Sequence, residues 1–335
     1  MLSKFGSVKN LATDYIFSLA SIRAGIPTLL IAPPSGGKTT IVYALEKYLK
    51  RKNENVMLIS RLGLRGLKNL AKVLNYSKEF TLLNEDYALI GSSDYMAEKL
   101  AEIVGALSYS KTYYDYGLDV KISLNKLGFI SGVQPFWLKK MITKPAYITH
   151  IREKFIRYYM LPYTSSGDVE MLDAIMTLVD VMEEIENKAK KRGNYKIPKD
   201  FIISLANQVG IVRAKEYTWR LAEALKELIG SRNVNRALKF YSKRIGFEEK
   251  IVRRELGENG YSVDVLWREY TALYWALRRG KITREEMRLA LGVSSMRSVE
   301  RVVSSGLAVR FITTQYNSSR LYIIPNPYLK EELKW

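Results

Sequence analysis

The chain runs to 335 residues, 47% of them apolar, more than one small core holds, which points to two or three modules. Its 53 Lys and Arg against 34 Asp and Glu leave a formal charge of +19, an excess suited to a polyanion, with DNA the first candidate and a basic solubility bias the plain alternative. The lack of cysteine excludes disulfides and thiolate metal sites, the single His150 excludes a histidine cluster, and no apolar run suits a membrane span or a signal segment, so a cytoplasmic protein with no membrane partner is expected.

The first predicted element is a helix over 10–23, ended by Ala24-Gly25 and placed beside whatever the next segment binds. A short apolar run, 27–31, then reads as a buried strand, and 40–49 is apolar at helical spacing. Between them stands Ala32-Pro33-Pro34-Ser35-Gly36-Gly37-Lys38-Thr39, which satisfies the [AG]-x4-G-K-[ST] pattern of a phosphate-binding loop. Strand, glycine turn and helix form the context that this pattern needs. Gly36 and Gly37 let backbone amides converge on one anion at the helix N-terminus. Lys38 is placed to reach the β and γ phosphates, the Thr39 hydroxyl to ligate Mg2+, and Pro34, Ser35 and Thr40 complete the cradle. A glycine turn that binds nothing is the bland alternative.

A second strand is expected at 56–60 and a helix at 64–74. The apolar run 80–83 then ends in Asn84-Glu85-Asp86, the pattern by which enzymes of this kind set one carboxylate on the metal and a neighbour on the attacking water. Glu85 is assigned here to the metal and Asp86 to water, against the plain alternative of a strand leaving into a polar loop. A long amphipathic helix follows at 94–110. Tyr109, Tyr113, Tyr114 and Tyr116, interleaved with Lys111, Lys121 and Lys126, suit base stacking on a phosphate backbone, but an ordinary hairpin with half-buried tyrosines is preferred. The strand expected at 127–135 brings up Gln134, a polar side chain fit to orient the lytic water. A basic helix end and a last strand occupy 152–162, so 1–163 reads as one α/β unit.

At this point the chain resembles the AAA+ and related P-loop ATPases, with a phosphate loop at 32–39, a strand ending at Glu85 and Asp86, a polar sensor-like Gln134 and a basic box before the final strand. The resemblance implies a parallel-sheet core that uses ATP with Mg2+, and a homo-oligomer in which a basic residue from a neighbouring subunit touches the γ phosphate. The positions matching that box are Arg152 and Lys154, with Arg157 next. ATP in preference to GTP is likewise implied only by the resemblance.

From 168 onward helical periodicity dominates, broken around 192–198, and 164–263 is expected to form a helical lid. Its segment 231–239 is similar to the AAA+ helix whose arginine folds over the phosphates, which implies that role for Arg232 and Arg236; a solvated basic face is the alternative. Residues 264–335 predict three helices, at 264–279, after a Thr283-Arg284-Glu285-Glu286 capping box, and from Ser294-Ser295, and then strands at 307–312 and 320–324 around a polar 315–319 tip. This order looks like a winged helix-turn-helix, with Arg297, Ser298 and Arg301 toward DNA from the third helix and Arg310 and Arg320 from the wing. The positive excess is greatest in 1–163, which favours a DNA-acting machine over a tethered regulator.

The leading expectation is an ATPase similar to replication initiators and helicase loaders and to ATPases of archaeal viruses and plasmids, with a replicative helicase as an implied partner. A DNA translocase or packaging motor and a nucleotide-switched transcription regulator remain open beside it.

Overall fold

The computed structural model describes residues 1–61, 63–87, 94–117, 119–142, 147–162, 169–247, 263–304, 312–317 and 320–328. Its centre is a five-stranded parallel sheet built from β1 (Thr28–Ile31), β2 (Val56–Ile59), β3 (Glu79–Asn84), β6 (Lys126–Val133) and β7 (Ile156–Tyr159), in the order β2-β3-β6-β1-β7. Between β3 and β6 the chain also makes a separate antiparallel hairpin of β4 (Thr112–Asp115) and β5 (Val120–Ser123). β1 is buried at all four positions, as a strand covered on both faces must be, and this explains its unbroken apolar reading. Ile31 pairs with Val133 on one side and Tyr159 on the other, so β1, β6 and β7 end level. Asn84 pairs with Ser131, so Glu85 and Asp86 leave β3 alongside the last residues of β6.

Around the sheet run α1 (Lys9–Ala24), α2 (Lys38–Arg51), α3 (Leu64–Asn75), α4 (Asp94–Tyr109) and α5 (Pro135–Ile142). The first of these carries almost no exposed residue and packs against β6, α2 and the helices of the next region, so it is a core helix and not an amphipathic cover. It ends where expected: the Gly25 amide donates to the Ile22 carbonyl and the Ile26 amide to that of Ser21. Among the described residues the middle region has helices and no strand: α6 (Met171–Lys188), α7 (Lys199–Val209), α8 (Ile211–Ile229) and α9 (Ser231–Ile245). Arg220 of α8 donates to the carbonyls of Ala24 and Gly25 at 2.7 and 2.8 Å and thereby caps α1.

The C-terminal region holds α10 (Val263–Arg279), β8 (Ile282–Thr283), α11 (Arg284–Leu291), α12 (Met296–Val303), β9 (Ile312–Asn317) and β10 (Arg320–Pro325), the strands forming an antiparallel sheet in the order β8-β10-β9. The capping box forms in full: Glu286 donates its amide to Thr283 Oγ1 at 3.2 Å and accepts the Thr283 amide at 2.8 Å. Two details differ from the expectation. The two-residue β8 had no signal, because a strand that short carries no alternation. The hairpin tip is also tighter than 315–319, since Gln315, Tyr316 and Asn317 pair with β10 and the last of them sits opposite Arg320, extending the ladder that the β-branched Ile312, Thr313 and Thr314 begin. Residues 307–311 of the expected strand, Arg310 among them, lie outside the described residues, as do those around both expected domain boundaries.

Candidate functional site

The phosphate loop leaves β1 at the carboxyl edge of the sheet and turns into α2. Ser35 and Gly37 take left-handed backbone angles, φ 58° and 88°, and the Gly36 amide donates to the Pro33 carbonyl at 3.0 Å. A methyl on Gly36 would lie 2.7 Å from Ala32 Cβ and 2.8 Å from the Pro33 oxygen, which leaves no room for a side chain there, while the φ of 88° favours glycine at Gly37. The first helical bond of α2 runs from the Ile41 amide to Gly37, which leaves the amides of Lys38, Thr39 and Thr40 without intrahelical acceptors at the helix mouth. That arrangement suits an anion. Gly36, Gly37, Lys38, Thr39 and Thr40 line a cavity of about 430 Å3, with Val8 and Leu11 from the N-terminal segment and Val169, Met171 and Ala174 forming an apolar side to it. Pro34 stands exposed on the crest of the loop and does not line the cavity.

Lys38 is buried, and its Nζ donates to the carbonyls of Ala32 at 2.7 Å and Pro33 at 2.9 Å. Burial pushes its pKa down to about 8, and the nearby Asp86 carboxylate opposes that shift. Asp86 also accepts from Gln134 Nε2 at 3.2 Å, so two of the expected water-directing residues meet beside the lysine. Glu85 instead accepts from Tyr43 on α2 at 2.7 Å, and Tyr43 stands one turn beyond Thr39 on the same helix face. Asn84 is held from both sides, donating to Ile59 at 2.6 Å and accepting from Ser131 at 2.7 Å, which fixes where β3 releases the two acids. Gly132 of β6 completes the approach: a Cβ there would collide with the Glu85 carbonyl and come within 3.3 Å of Lys38 Cβ. Among the described residues no group of three or more His, Asp or Glu side chains could hold a metal.

Arg152 and Lys154 lie before β7, at the amino edge of the sheet, roughly one strand length of 13 Å from the loop of the same chain. Arg152 is exposed; the Lys154 stem packs over Gly105 of α4, and burial lowers the pKa of its amine. Arg157 is spent on structure, since it is buried with its guanidinium on the carbonyls of Arg152 and Phe155. Arg232 lines a different cavity of about 320 Å3 with Met1, Lys4 and Lys188, and neither it nor the exposed Arg236 lines the loop cavity. The segment 231–239 opens α9 at its far end from β7, which is why these arginines miss the loop: only the last turn, at Arg244, reaches the strand end, donating to the Leu161 carbonyl at 2.6 Å.

The arginine that does reach the loop is Arg278, at the end of α10. Its Nη1 donates to the Ser35 carbonyl at 2.6 Å, and the Tyr274 hydroxyl donates to the Gly36 carbonyl at 2.9 Å; both side chains line the loop cavity. The sequence reading of 264–279 as a helix gave no role to Tyr270, Tyr274 or Arg278. The available signal was their four-residue spacing, which sets three polar tips on one helix face.

In the C-terminal region Val299 and Val302 of α12 face the core, while Arg297 and Arg301, one turn apart, are exposed and make no ion pair among the described residues. Ser298 is engaged locally, its amide and hydroxyl both on Ser295 at the N-cap. Arg320 is exposed at the start of β10.

No family model matches the chain, and no curated protein matches it. Among solved structures it is similar to the A form apo structure of the C-terminal region of NrS-1, at TM-score 0.30 and 14% identity over 95% of this chain and 72% of that one. It is also similar to NtrX from Brucella abortus in complex with ADP, at TM-score 0.30 and 12% identity over 89% and 68%. At these values the reading of the site rests on its own geometry.

Proposed function

We propose that the chain is a DNA-associated ATPase of the AAA+ type that binds ATP with Mg2+ at the 32–39 loop and acts in replication initiation or helicase loading. The observation that supports this most is the convergence at one sheet edge of the glycine cradle, Lys38, Thr39 and the Asp86–Gln134 pair. In this reading the loop amides and Lys38 bind the phosphates, and Thr39 with Glu85, released from Tyr43, holds Mg2+, whose charge neutralises the phosphate oxygens. Asp86 accepts a proton from the attacking water while Gln134 orients it. Arg152, the more exposed candidate, serves a neighbouring copy in a homo-oligomer, since it lies too far from its own loop. Residues 264–335 act as a winged helix, with Arg297 and Arg301 on DNA and Arg320 from the hairpin.

ATP hydrolysis by wild type and Lys38→Ala, with and without duplex or single-stranded DNA and across protein concentration, tests the reading. Turnover that rises with DNA and with concentration and is lost in the variant supports it. Nucleotide binding without turnover under every condition would replace it with a nucleotide-switched regulator, the alternative favoured by the direct contact between α10 and the loop.

A further inference from the structure

Two cations line the loop cavity, and both rest on carbonyls of the same loop. Lys38 belongs to the loop itself, donating to Ala32 and Pro33. Arg278 comes from 240 positions further along the chain and donates to Ser35. It belongs to a helix that is fixed at three successive turns: the Tyr270 hydroxyl lies 2.8 and 2.6 Å from the carbonyls of Ile31 and Met160, where β1 and β7 end, and shares its one proton between them; Tyr274 donates to Gly36; and Arg278 follows. The guanidinium is also seated over the Trp275 ring, 5.1 Å from its centroid. The same helix packs against α11, α12 and β10, the parts that carry Arg297, Arg301 and Arg320. α5, which starts directly after Gln134, packs on it as well. One helix thus touches the phosphate loop, the helix behind Gln134 and α11, α12 and β10 of the C-terminal module.

A backbone carbonyl is a neutral acceptor. A phosphate oxygen is a charged one that the planar guanidinium engages with two parallel N–H bonds, which adds geometric specificity as well as energy. Resting on the nucleotide reading above, we propose that Arg278 is a phosphate-reading residue: in the presence of a nucleoside triphosphate its guanidinium exchanges the Ser35 carbonyl for a phosphate oxygen, so the seating of the C-terminal module depends on which nucleotide is bound. The coupling is reciprocal by linkage, so DNA held by that module changes triphosphate affinity by the same factor that triphosphate changes DNA affinity.

Affinities of the full chain for fluorescent ATP and ADP analogues, measured for wild type, Arg278→Ala, Arg278→Lys and Lys38→Ala, test this. Loss of one charge-assisted contact predicts an ATP affinity down about tenfold in Arg278→Ala, with ADP affected less than about threefold. Arg278→Lys restores part of the difference, keeping the charge without the planar fork. Amide hydrogen exchange across α10 to α12 differs between ATP and ADP in wild type and ceases to differ in Arg278→Ala. Equal losses for ATP and ADP, unchanged ATP affinity, or an exchange difference that survives the substitution would each overturn the proposal while leaving the nucleotide reading intact. Wild type that binds neither nucleotide, or Lys38→Ala that binds as wild type does, overturns the nucleotide reading itself and this inference with it.

Discussion

Asp14 stands wholly buried on α1, where Tyr158 of β7 donates to its Oδ1 at 2.7 Å and Arg244 of α9 lies close enough to attract it. Desolvation outweighs that attraction and pushes its pKa from 3.8 up to about 7. The folded chain therefore holds a proton that the unfolded chain releases above about pH 4. The stability this contributes is complete below pH 4, declines as pH rises through 7 and is level beyond it. Urea midpoints from pH 4.5 to 8 should show wild type losing ground to Asp14→Asn across that window, by up to about 1.4 kcal/mol per pH unit for one proton. Parallel curves would mean that Asp14 is ionised throughout. Gly132 gives a second single-residue prediction. Its Cα faces the Glu85 carbonyl so closely that Gly132→Ala must part β3 from β6 just where Lys38 is seated, at a cost of about 1–3 kcal/mol in denaturant midpoint and with weakened ATP binding.

α10 shows at the scale of elements what a sequence can and cannot disclose. Its helical period, its length and the cap that starts the next helix were all legible, because each follows from residues within a few positions of one another. The strands beside the loop were legible for the same reason, and Lys38 and Gly36 stand where the octet put them. The destination of α10 was not legible, because nothing local says that Tyr270 meets Ile31 or that Arg278 meets Ser35, contacts made across more than two hundred residues. Arg232 and Arg236 were misplaced in the same way: their segment resembled a phosphate-facing helix, and only packing shows which end of α9 meets the sheet. The anchoring role of α10 is checked by Tyr270→Phe. The ring stays buried, but the Met160 carbonyl loses its 2.6 Å partner and Ile31 keeps only the Met160 amide. A loss of about 1–2 kcal/mol in thermal or urea unfolding is expected for a buried acceptor left unmade. No loss would mean that the strand ends are held without α10.

For the whole molecule the +19 charge poses the question of where a polyanion would lie, and no described helix is long and apolar enough to cross a membrane. Two of the basic surfaces among the described residues carry opposite predictions. One is α12, with Arg297 and Arg301 exposed; the other is α3, whose Arg65, Lys68 and Lys72 are exposed along one face of the sheet-bearing unit. Neither set makes an ion pair among the described residues, so both are available for phosphate. Counterion release separates them. Each phosphate contact adds close to one to the slope of log affinity against log salt. If DNA is held by the C-terminal module alone, Arg297→Ala with Arg301→Ala lowers that slope by about 2, and the triple alanine variant of α3 leaves it unchanged. If the sheet-bearing unit also tracks the backbone, as its larger share of the positive charge favours, the α3 variant lowers the slope by up to about 3. The expected outcome is a fall in both, measured by titration of labelled duplex between about 50 and 200 mM salt, the range over which such slopes develop. A slope that neither variant moves would remove DNA from both surfaces.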